Sequence, residues 1–113
     1  MNTEFQTPPM SVVPTADGVR LTFNGPIHAN VAWVEGELNR VADTNPKVVL
    51  MDLTGAEHIS SMGLGILVGF NNQIRAAGGT IKIVAVTSRT VGILRIALLD
   101  KVFQILPSAV IDR

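Results

Sequence analysis

Val48 to Phe70 reads VVLMDLTGAEHISSMGLGILVGF: an apolar run, a short polar loop and the opening of a helix. Val48-Val49-Leu50-Met51 follows Lys47 and has the length and β-branching of a fully buried strand. Asp52-Leu53-Thr54-Gly55 breaks that run. From Met62 onward the apolar residues fall at helical spacing, with Leu64, Leu67, Phe70 and Ile74 on one side and Ile66 and Ala77 flanking. Ser60 and Ser61 therefore stand where the loop becomes a helix. The first N–H groups of a helix lack intrahelical partners and sit at its positive end, so added negative charge is favoured there.

Serine is a preferred N-cap residue, and a capping hydroxyl is compatible with a surface role. A phosphate at this helix end would bring roughly −1.5 to −2 charges to a place that tolerates them, changing what binds there without unfolding the chain. Neither serine has Glu or Gln three residues later, so no capping box marks a purely structural cap.

Working outward, Met10–Val13 and Val19–Phe23 read as two strands joined by the turn residues Thr15-Ala16-Asp17-Gly18. Pro14 puts the first of them at a sheet edge, and residues 1–9, with Pro8-Pro9, form a flexible or extended N-terminal segment. Residues 27–44 keep a helical period through Val31, Val34, Leu38 and Val41, and Asn45-Pro46 ends that helix. Gly78-Gly79 ends the helix that starts at Met62. Ile81–Val86 is a further strand, Thr87-Ser88 caps a third helix, and Val102–Leu106 is a last strand before a tail of at most one or two turns. The order β-β-α-β-α-β-α-β predicts an α/β fold: a mixed, mostly parallel sheet of about five strands with three to four helices. Residues 10–113 are expected to form a single domain.

The composition narrows the functions. Nine basic and nine acidic residues cancel and neither sign forms a run, which argues against nucleic acid and anionic membrane surfaces. There is no cysteine, hence no thiol nucleophile or Cys-ligated metal. Met1–Met10 lacks a signal-peptide pattern, and Met62–Phe70 is far shorter than the roughly 20 residues needed to span a bilayer, so a cytoplasmic location is expected.

Gly63, Gly65 and Gly69 follow a strand and open a helix, but the third glycine is one residue late for a dinucleotide fingerprint. Around Ile83–Val86 no carboxylate is available for a ribose, so no cofactor is expected. These glycines read instead as close approach of the helix to the sheet or a partner. Asp52, Glu57, Ser61, His28 and His58 are the ingredients for hydrolysis, yet Gly-x-Ser-x-Gly is absent, and neither an orienting group nor an oxyanion hole can be read. No metal spacing is present and an enzyme is not expected. With Leu67, Phe70, Ile74 and Ala77 toward the sheet, Leu64, Gly65 and Val68 fall toward the edge or solvent. The first two turns of this helix are then apolar all round, which fits either a docking surface or cover by another element.

Asp52 to Leu67, DLTGAEHISSMGLGIL, resembles the signature of STAS domains, the family of bacterial anti-sigma factor antagonists. The opening hairpin, Gly25-Pro26-Ile27-His28 and the Gly-Gly turn extend the likeness over nearly the whole chain. The resemblance implies a non-enzymatic switch in which Ser61 is phosphorylated by a partner serine kinase that doubles as an anti-sigma factor, and a phosphatase reverses it. It also implies a contact surface around the helix start, taken here as His28, His58, Ser60, Met62, Gly63, Leu64, Gly65 and Val68. The chain departs from the family at three places: Ser60 replaces an Asp, Met62 a second Ser, and His28 an acid. Those departures make Ser60 an alternative acceptor and leave open partner binding without phosphoregulation. STAS domains also serve as accessory subunits of lipid-transport ATPases and of stress-sensing assemblies.

Overall fold

In the computed structural model, which describes residues 9–111, β1 (Met10–Pro14) and β2 (Gly18–Phe23) form the opening hairpin. The Thr15 N–H closes its turn by donating to the Gly18 carbonyl at 2.9 Å. There follow α1 (Val31–Asp43), β3 (Val48–Asp52), α2 (Ser61–Ala76), β4 (Thr80–Thr87), α3 (Ser88–Ile96), β5 (Gln104–Ile105) and β6 (Val110–Ile111). The sheet runs β1-β2-β3-β4-β5, and β6 also pairs with β4. Among the described residues only β1 and β2 are antiparallel, and every other strand pair is parallel. This is the mixed α/β architecture expected, with three helices. The N-terminal segment expected over residues 1–9 lies outside the described residues except for Pro9, whose carbonyl accepts from the Asn24 N–H at 2.9 Å.

Three successive crossovers, β2-α1-β3, β3-α2-β4 and β4-α3-β5, step in one direction along the sheet. Right-handed connections of that kind put all three helices on one face. Leu21, Phe23, Val49, Met51, Ile81 and Ile83 are buried on that face. They meet Val34 and Leu38 of α1, Leu67, Phe70 and Ile74 of α2 and Leu94 of α3 in one core. Each such fully buried side chain contributes about 1.5–3 kcal/mol, which is what docks the helices. The opposite face carries a row in register across five strands: Val13, Arg20, Leu50, Lys82 and Gln104. Val48 and Leu50 are therefore half-buried, and β3 is not the fully buried strand its sequence suggests.

Three further expectations are corrected. The first helix begins at Val31 rather than Ile27, because Ile27 is fully engaged in a β-bridge to Ile59. The last strand is short and resumes after an interruption: Pro107 has no N–H to donate, the chain turns through Ala109, and β6 re-forms at Val110 where a tail of turns was expected. Ala77 is exposed rather than facing the sheet, since α2 has already reached its C-cap there.

Both α2 and α3 end in the same hydrogen-bonded motif. After α2, Gly78 (φ 88°) donates to the Arg75 carbonyl at 3.0 Å and Gly79 to that of Ile74 at 2.8 Å. After α3, Leu98 takes the place of that glycine at φ 61°, with its N–H on Arg95 at 2.9 Å and that of Leu99 on Leu94 at 2.7 Å.

Candidate functional site

The start of α2 is built by two backbone hydrogen bonds that tie the loop after β3 to the loop after β2. The Ile27 N–H donates to the His58 carbonyl at 2.8 Å, and the Ser60 N–H to the Ile27 carbonyl at 2.9 Å. His28 follows Ile27 and Ser60 follows Ile59, so this bridge sets them side by side. Ser60 is the N-cap, in extended conformation, and its hydroxyl accepts from the Gly63 N–H at 3.0 Å.

Ser61 is the first helical residue and is exposed. Its side chain makes no hydrogen bond among the described residues. Met62 beside it is 72% exposed. The first turn of α2 contains no acid, so nothing on the helix itself opposes negative charge at Ser61.

Gly63, expected in the contact surface, is buried at the start of α2. A Cβ there would lie 2.8 Å from the Ile27 carbonyl oxygen, 2.9 Å from Ile27 Cγ2 and 3.0 Å from Ile59 Cγ2. It is the packing glycine that lets the helix rest on the bridge. Gly65 and Gly69 differ: both are exposed and a Cβ on either would meet nothing within 4 Å, so close approach to the sheet does not explain them. Leu64 and Val68 are half-buried against the core, leaving part of each accessible.

The accessible surface at this end therefore comprises Ser61, Met62 and Gly65, the open parts of Ser60, Leu64 and Val68, and the exposed His28 and His58. The His28 Nδ1 accepts from the Ala29 N–H at 2.6 Å. Sequence reasoning missed a groove of about 440 Å³ between α1 and α2, where Glu35 and Leu38 face Met62, Gly65 and Gly69. The signal for it was the unexplained Gly65/Gly69 pair, four residues apart on one helix face.

The hydrolytic ingredients are not assembled. The Asp52 carboxylate holds Arg20 at 3.2 Å and accepts from the Thr54 N–H at 2.9 Å. Among the described residues neither histidine bonds to Ser61 or to a carboxylate. No helix among them is long and apolar enough to cross a membrane.

A family model described as STAS domain matches residues 10–110. No curated protein matches the chain. Among solved structures, an anti-sigma factor antagonist from Mycobacterium paratuberculosis superposes with a TM-score of 0.76 at 21% identity, covering 87% of this chain and 84% of that one. The Bacillus cell fate determinant SpoIIAA in its phosphorylated form superposes at 0.66 and 12% identity, covering 92% and 90%. A sulfate transporter family protein from Wolinella succinogenes does so at 0.65 and 21% identity, covering 88% and 80%. These are likenesses of fold.

Proposed function

Because the chain belongs to the STAS domain family, we propose that it is an anti-sigma factor antagonist-like regulator, acting in the cytoplasm without catalysis of its own. It binds a protein partner through the start of α2. The partner is a serine kinase of the anti-sigma type, which phosphorylates Ser61, and a phosphatase reverses the modification.

The single observation that carries this reading is the division of labour between the two serines. The Ser60 hydroxyl is used as the cap, so a phosphate on it would displace the bond to Gly63. The Ser61 hydroxyl is exposed in the first turn, beside an exposed methionine. A phosphate on Ser61 keeps the cap and sits at the positive helix end, so the fold survives. The bound partner, however, would have to accommodate a dianion against Met62 and Leu64. Desolvating that charge weakens the complex.

A second reading is favoured by one feature: Ser60 and His28 stand where the family carries acids. Together with the fold shared with a transporter-family protein, this supports an adaptor that binds constitutively. Binding of a kinase-type partner to wild type, Ser61→Ala and Ser61→Asp separates the two. The switch predicts loss only with Ser61→Asp, and equal binding by all three rejects it. Phosphate mapped by mass spectrometry to Ser60 instead would reject the assignment of the acceptor.

A further inference from the structure

At the opposite end of α2, about 15 Å along the helix from Ser61, Asn71 presents a different chemistry. Asn71 is only 3% exposed, yet among the described residues its side-chain amide makes no hydrogen bond. It is not sealed in, because it opens on a cavity of about 310 Å³. Arg75, one turn on along the same helix face, lines this cavity too, as do Thr80, Lys101 and Gln104.

Topology explains the opening. β5 starts only at Gln104, opposite Lys82, so Thr80 and Ile81 have no partner in it. The chain reaches β5 through Lys101–Phe103, which closes the far wall. The C-terminal carbonyls of α2 would oppose an anion here, but those of Ile74 and Arg75 are already bonded to Gly79 and Gly78.

From this we infer that the cavity is a binding site for a small ligand carrying an oxyanion, a carboxylate or a phosphate. The Asn71 amide donates to it, and the Arg75 guanidinium and Lys101 ammonium flank it. Neither cation forms an ion pair among the described residues; the pairs present there are Arg20–Asp52 and Arg40–Glu37. Asp100, next to Lys101 in sequence, pairs with neither cation. Two uncompensated cations around a buried amide with open donors favour a negative ligand, and the volume is at the small end of ligand sites. The inference is independent of the partner surface at Ser61.

The test is a titration of the ¹⁵N-labelled chain with sodium phosphate and, separately, sodium acetate, at fixed ionic strength with chloride as the reference. Saturable shifts are expected at the Asn71 side-chain amide and at the backbone amides of Thr80 and Gln104. The double variant Arg75→Gln, Lys101→Gln replaces exposed residues and should fold normally. It is expected to weaken binding by about tenfold or more. Saturation by either oxyanion supports the site, and the one that saturates names the ligand class. Shifts that rise linearly, that chloride reproduces, or that the double variant retains would overturn the proposal.

Discussion

Replacing Gly63 by alanine places one methyl group into the joint between α2 and the Ile27–Ile59 bridge. Its three nearest atoms would lie at 2.8, 2.9 and 3.0 Å, and the nearest is a backbone oxygen, which cannot rotate away. The helix must lift or the bridge must open, and overpacking of that kind costs about 1–3 kcal/mol. The exchange also has a favourable part, since Ala exceeds Gly in a helix interior by roughly 0.5–1 kcal/mol. Gly65→Ala isolates that part, because nothing lies within 4 Å of its Cβ. The propensity term is shared by the two variants and cancels between them. Gly65→Ala should therefore be the more stable by about 1–3 kcal/mol, or roughly 4–12 °C in Tm for a domain near this size. Urea and thermal unfolding of the two variants measure the gap. Amide exchange at Ile27 and Ser60 should accelerate in Gly63→Ala alone, since those N–H groups form the bridge. Equal stability, or Gly63→Ala the more stable, would refute the packing role assigned to Gly63.

Other outcomes follow from the same contacts. Ser60→Ala removes the N-cap bond to Gly63 and should cost about 1 kcal/mol in urea unfolding, whereas Ser61→Ala should stay within about 0.5 kcal/mol of wild type. Leu98→Gly should stabilise the chain by about 1 kcal/mol, read as a higher Tm, because it relieves a left-handed leucine at an exposed position. Met62→Lys should leave the Tm unchanged yet reduce partner affinity by about tenfold or more in calorimetry, as a charge is buried in the contact.

The parts of the fold legible in the sequence are those set by local pattern. The Val48–Met51 run, the turn residues Thr15–Gly18, the 3.6-residue period from Met62 and the Gly78-Gly79 stop each carry their own signal. What was illegible depends on contacts distant in sequence. Ile27 continues the apolar period of α1, and only its bridge to Ile59, 32 residues on, removes it from the helix. β6 is two residues long after a proline and exists because β4 offers an unpaired edge there. The site divides the same way. Two serines at a helix start could be located from sequence, but which one is the cap is a matter of register, and Ser60 takes that role. Gly63, Gly65 and Gly69 are indistinguishable as letters. One supports the helix on the bridge, and the other two open a groove toward α1.

The central claim is that a partner grips the start of α2. Chemical-shift mapping of the ¹⁵N-labelled chain against a kinase-type anti-sigma partner tests it most directly. Perturbations should cluster at Ser61, Met62, Leu64, Gly65 and His28, and prior phosphorylation of Ser61 should abolish them. Perturbations centred instead on the helix-free sheet face, at Arg20, Leu50 and Lys82, would contradict it.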